Sequence, residues 1–178
     1  QAASSHLNLK YFQRYQQSQK LRDQEGAFYI EGSRDFIQAM DQGYVFKALL
    51  ISKKLMVVPL VQKLVRELKR KNIPYMTVSP EEFRSVAILD RASGIGALVE
   101  QPKTQLKDLP LERGLCWVCL DHIRSAGNIG TLIRSAEGVG AAGFLLLSDK
   151  IDPYDPAVLR ASVGAFFHQP FIKISPKE

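Results

Sequence analysis

One stretch constrains this chain more than any other. From Leu115 to Gly138 an apolar run, a glycine-containing loop and an amphipathic helix follow in direct succession. Leu115-Cys116-Trp117-Val118-Cys119-Leu120 is apolar throughout and reads as a buried strand. The loop that follows holds Gly127, and Asn128 stands where a helix N-cap belongs. From there Ile129, Leu132, Ile133 and Ala136 recur at helical spacing. At about 100° per residue they gather on one face, and Arg134 falls roughly 150° from its centre. Arg134 is therefore expected to meet solvent, a ligand or another subunit.

The alternation continues to the end of the chain. A strand is read at 143–148, a helix at 156–166 and a strand at 170–174. Asp155 and Pro156 supply a cap and a first-turn proline. The three strands 115–120, 143–148 and 170–174 are expected to form part of a parallel sheet. Gly138, Gly140 and Gly143 spell G-x-G-x-x-G. A dinucleotide fingerprint follows a strand and opens a helix. Here the order is reversed, so these glycines read as a helix end and a tight turn. Arg160, Ser162 and Gly164 fall on the last helix. Small residues at 161, 162, 164 and 165 allow close backbone approach, as in a tight knot, a cofactor pocket or ordinary helix–sheet packing.

Cys116 and Cys119 lie three apart in the first of these strands, so their side chains are expected on opposite faces. No second cysteine pair completes a metal site, and two buried thiols in a reducing cytoplasm are the expectation. His122 and His168 lack the partners of a metal site or a triad. The chain of 178 residues carries a formal charge of +6 and a pI near 9.4, which favours a polyanionic partner. No apolar run approaches the ~20 residues that span a bilayer, and no secretory leader is read, so no membrane partner is expected.

The first hundred residues read as a separate small α/β domain. Residues 5–25 carry Lys10, Arg14, Lys20 and Arg22 with Tyr11, Phe12 and Tyr15 between them. That pattern suits an RNA-contacting arm, with cations on phosphate and aromatics on bases, or equally a solvated helix docked by its aromatics. Strands are read at 27–32, 45–52, 74–78 and 95–99. Helices are read from near Arg34, with Ser33 as its cap, over 57–72 and from Pro80. In the 57–72 helix Leu60, Leu64, Val65 and Leu68 form the apolar side, and Lys63, Arg66, Lys69, Arg70 and Lys71 crowd the rest. The resulting order, β-α-β-α-β-α-β, sets a domain at 1–100, a proline-containing linker at 101–113 and a second domain from 114 to 178.

Two segments of the second domain carry a resemblance. Asn128-Ile-Gly-Thr-Leu-Ile-Arg134-Ser-Ala-Glu-Gly resembles the first signature motif of the SpoU/TrmH branch of SPOUT RNA methyltransferases. Asp152-Pro-Tyr-Asp-Pro-Ala-Val-Leu-Arg160-Ala-Ser162-Val-Gly164-Ala resembles the second. The resemblance implies methyl transfer from S-adenosylmethionine to a ribose 2′-hydroxyl of structured RNA, ribosomal or transfer, by a homodimer with a trefoil-knot domain. It implies Arg134 as the catalytic residue, held by Asn128, and Ser162 and Gly164 at the cofactor. Arg124, Arg34, Lys10, Arg14, Arg22 and Arg160 are the candidate RNA contacts. In such families a ribosomal-protein-like RNA-binding domain precedes the catalytic one, and Glu31-Gly32-Ser33-Arg34 resembles its start. A third motif that would close the knot is not found before Glu178. The 178 residues are therefore expected to be part of a longer enzyme, to bind the cofactor weakly or not at all, and to leave apolar surface at Phe166, Phe167 and Phe171 for a second chain or the 26–100 domain to cover. The alternative is a non-catalytic RNA-binding module without a cofactor pocket.

Overall fold

The computed structural model describes residues 7–105, 107, 112 and 114–174, and the chain divides into two units, Gln1–Gln101 and Pro102–Glu178. Much of the expected linker, at 106, 108–111 and 113, lies outside the described residues, as do 1–6 and 175–178.

In the first unit α1 (Leu9–Gln17) and α2 (Gln19–Glu25) lead into β1 (Ala27–Glu31), α3 (Ser33–Asp41), β2 (Phe46–Ile51), α4 (Pro59–Arg70), β3 (Tyr75–Thr77), α5 (Pro80–Val86) and β4 (Ile95–Glu100). The sheet order is β1-β4-β2-β3; β4 runs antiparallel to β1 and β2, while β2 and β3 are parallel. The single helix expected over the basic arm is two, because Ser18 is extended and caps both. Its hydroxyl accepts from the Leu21 N–H at 3.2 Å, which satisfies a donor that the start of α2 would leave orphaned.

Phe12, Tyr15, Phe83 and Val86 cover one face of the sheet at Tyr29, Ala48, Leu50 and Leu98. Simple alternation would put Phe46 on that face too. The register shifts between Phe46 and Ala48, so Lys47 is an extra residue and Phe46 turns to the opposite side. There it meets Phe36 of α3, ring centres 5.2 Å apart. Two expectations fail locally. Ser33 begins α3 rather than capping it; Gly32, at φ 103°, holds the N-cap position without a side-chain bond. On α4 the buried row is Val61, Val65 and Leu68, and Leu60 is 47% exposed.

The second unit contains β5 (Trp117–Leu120), α6 (Ala126–Gly138), β6 (Gly143–Leu146), α7 (Pro156–Ser162), a 3-10 turn (Ala165–His168) and β7 (Phe171–Lys173). All three strands are parallel, in the order β5-β6-β7. Helices in the crossovers make this a layered α/β arrangement. The helix expected over 156–166 stops at Ser162, where Val163 (φ 54°) and Gly164 (φ 90°) are both left-handed. Phe166, expected to leave apolar surface open, is buried, as are Phe167 and Phe171. Phe166 stacks on Phe171 at 5.0 Å, Phe171 on Phe144 at 5.3 Å, and Tyr154 meets Phe166 edge-on. The cysteines also depart from expectation: Cys116 and Cys119 are both exposed. β5 is an outer strand among the described residues, and burial is complete only at Leu120.

Candidate functional site

The chain leaves β5 at Leu120 and turns through Asp121–Ser125 into α6. His122 sits in the left-handed region at φ 52°, and its imidazole pairs with the carboxylate of its neighbour Asp121. Arg124 follows, exposed. The cap of α6 is Ser125, whose hydroxyl accepts from the Asn128 N–H at 3.3 Å. This corrects the expectation for Asn128, which lies in the first turn. Serine and asparagine cap equally well, and Gly127 leaves the extra turn open. Thr131 adds a second tie, donating to the Gly127 carbonyl at 2.9 Å.

Ile129, Gly130, Ile133 and Ala136 form the buried face of α6, and Leu132 at 38% exposed lies outside it. Arg134 is exposed, as its position on the helix requires. Asn128 is exposed too, but six residues separate the two, about 9 Å along a helix axis. Among the described residues no hydrogen bond joins them.

The buried face of α6 packs on α7. A β-carbon at Gly130 would fall 2.7 Å from the Val158 carbonyl oxygen and closer still to Cβ of Ala161. The small residues near 161 thus serve helix–helix contact. Arg160, on the same helix, is exposed. Ser162 is fully buried, and its hydroxyl donates back to the Leu159 carbonyl at 2.8 Å. Its side chain has no surface to offer a ligand. Gly164 is buried as well, in a turn whose backbone reverses within two residues. Beyond it Gln169 is buried with its amide oxygen unpartnered, a feature the sequence pattern did not single out. A buried acceptor without a donor carries a desolvation cost that a ligand donor relieves.

In the first unit the candidate RNA contacts separate sharply. Lys10, Arg14 and Arg34 are exposed. Arg22 is 2% exposed, and its guanidinium donates to the carbonyls of Tyr15 and Gln16. It ties α2 to the end of α1 and cannot reach phosphate without unfolding that corner. Tyr11 and Tyr15 meet edge-on at 5.4 Å and Phe12 is buried, so the aromatics dock the arm. Glu31 is buried with one oxygen accepting from the Ile88 N–H at 2.8 Å and the other unpartnered. Burial pushes its carboxyl up to about 7.

Comparison with known proteins gives the same division. Residues 8–97 match the MRM3-like substrate binding domain and residues 116–177 the SpoU rRNA Methylase family. The chain is 32% identical over 162 residues to rRNA methyltransferase 3, mitochondrial, of Mus musculus, covering 87% of this chain and 37% of that protein. It is 30% identical over 173 residues to the 23S rRNA (uridine(2479)-2′-O)-methyltransferase of Streptomyces viridochromogenes, covering 93% of this chain and 59% of that one. The chain therefore spans roughly two fifths to three fifths of the relatives it matches. Among solved structures, the AdoMet-bound rRNA methyltransferase of Sinorhizobium meliloti superposes with a TM-score of 0.84 at 25% identity, over 98% of this chain and 64% of that one. The SpoU methyltransferase AviRb of Streptomyces viridochromogenes, in complex with AdoMet, gives 0.82 at 25% identity, over 94% and 62%.

Proposed function

We propose that this chain, whose residues 8–97 belong to the MRM3-like substrate binding domain family and whose residues 116–177 match the SpoU rRNA Methylase family, serves S-adenosylmethionine-dependent methylation of a ribose 2′-hydroxyl in ribosomal RNA. The observation that carries this is the pairing, in one chain, of a substrate-binding domain with a SpoU unit whose Arg134 stands exposed on the polar side of α6. The relatives that span both units are named as rRNA methyltransferases, and one as a 2′-O-methyltransferase.

S-adenosylmethionine supplies a methyl group already activated on a sulfonium. The protein then has to bring the hydroxyl into line with that methyl and favour loss of its proton. A guanidinium loses its own proton only above about pH 12, so Arg134 is a poor base. It stabilises the developing alkoxide and holds the flanking phosphate with its fork of donors. Among the described residues, Gln169, through its unpartnered amide oxygen, fits an amino or ammonium donor of the cofactor, and Gly164 offers backbone in a buried reversal whose carbonyl already accepts from the Phe167 N–H. Ser162 contributes backbone alone.

The homodimer, the trefoil knot and the cytoplasmic setting belong to the same proposal. Exposed Leu132 and Val139 at α6 support a second copy. The test is transfer of labelled methyl from the cofactor to ribosomal RNA, followed by nucleoside analysis. Label in a 2′-O-methyl ribonucleoside is expected. Label in a base, or RNA binding that does not weaken with added salt, would sink the assignment.

A further inference from the structure

The first unit carries a second cationic surface, away from the basic arm. α4 and its cap bear Lys63, Arg66, Lys69, Arg70 and Lys71 against one carboxylate, Glu67. Lys63 and Arg66, Arg66 and Lys69, and Arg66 and Arg70 are three or four residues apart, spacings at which like charges destabilise a helix. The last three cations lie near the helix C-terminus, where its dipole favours them. Lys63 and Arg66 are outside that turn, and Lys53 belongs to the segment after β2.

Lys69 stands over the ring of Tyr75 at 3.7 Å from its centre. Tyr75 opens the outer strand β3, pairs with Leu49 of β2, and is 41% exposed. Partial burial and the nearby Lys53 lower the pKa of Lys69. Neither Lys53 nor Lys69 makes an ion pair among the described residues. An exposed aromatic ring with one lysine over it, and a second lysine repelling the first, lacks one component, an anion with a flat apolar face.

We propose that Tyr75, Lys69 and Lys53 form a docking surface for an unpaired strand of the substrate RNA, with a base stacked on Tyr75 and its flanking phosphates on the two lysines. This rests on the RNA substrate proposed above. Stacking is tolerant of sequence, and each phosphate contact releases counterions. A duplex offers the phosphates and no free base, so it uses the lysines alone.

The experiment is fluorescence anisotropy on the whole chain, with a hairpin bearing a single-stranded tail and a blunt duplex of equal charge. Tyr75→Ala is expected to weaken the tailed RNA about tenfold and to leave the duplex nearly unchanged. Tyr75→Phe keeps the ring and retains affinity. Lys53→Gln with Lys69→Gln weakens both RNAs and flattens the salt dependence by about one to two in log–log slope. Circular dichroism confirms that each variant is folded. Wild-type chain that binds RNA while Tyr75→Ala binds the tailed form equally well overturns this surface and leaves the RNA reading intact. Wild-type chain that binds neither RNA overturns both.

Discussion

Gly130 and Ala161 interlock. The absent side chain of the one is the space the methyl of the other occupies, with the Val158 carbonyl oxygen 2.7 Å from where a β-carbon would stand. Gly130→Val forces the two helices apart. Overpacking of this kind costs roughly 1–3 kcal/mol. The better helix propensity of valine returns only a few tenths. A denaturation midpoint for the second unit equal to that of wild type would disprove the close contact.

The role proposed for Arg134 predicts a small effect on stability and a large one on methyl transfer. Its side chain is exposed, so Arg134→Ala is expected to shift unfolding by no more than ~0.5 kcal/mol. Methyl transfer in the active enzyme is expected to fall by two orders of magnitude or more. Arg134→Lys fails nearly as badly, because an ammonium cannot reproduce the planar fork. Turnover near wild type in either variant removes Arg134 from the mechanism.

Arg22 behaves in the opposite way. Arg22→Ala strips donors from the Tyr15 and Gln16 carbonyls and leaves a void between α1 and α2. A loss of about 2–4 kcal/mol is expected. Lys10→Ala and Arg14→Ala, at exposed positions, leave stability unchanged. Thermal melts of the three variants decide the matter, and an unaltered melt for Arg22→Ala contradicts the structural role.

Glu31 makes the first unit more stable in mild acid. Its folded carboxyl titrates at about 7 against an ordinary 4.5. Between those values the folded state holds the proton more tightly than the unfolded one. The stabilisation is therefore full below pH 4.5 and is lost as pH rises through 7, a change of about 3 kcal/mol from a single group. Asp35, raised by burial to about 6, acts in the same direction. Glu31→Gln should remove most of the slope between pH 5 and 8. A variant with the wild-type slope would place the titration elsewhere.

Much of this was legible beforehand, and the exceptions share a cause. The order of strands and helices followed from periodicity and turn residues, and the exposure of Arg134 from its angle to Ile129, Ile133 and Ala136. What misled were places where two residues of equal local merit compete. Ser125 and Asn128 both cap well, and Leu60 and Val61 both suit an apolar face. Tertiary packing chose the first in one case and the second in the other. Arg22 looked like any cation of a basic arm, because the carbonyls it serves are fixed only once Ser18 breaks the helix. Val163 gave no warning either, since a β-branched residue is a poor choice for left-handed backbone. The site residues are thus readable where a helix phase determines them, and unreadable where a side chain answers to backbone that is distant in sequence or unusual in shape.

The pairing of β1 with β4 sets a timetable for the first unit. Ala27 lies opposite Glu100 and Glu31 opposite Gly96, while Gln16 donates to the carbonyl of Val86 and Gln101 to that of Arg22. A nascent chain can assemble the neighbouring β2, α4 and β3 early, because their contacts are local. β1 and the two helices before it must wait until about residue 100 has left the ribosome, with their apolar faces unclaimed meanwhile. Contacts of such long sequence separation slow folding. The basic arm keeps that waiting segment charged, and like-charged chains stay apart during the delay.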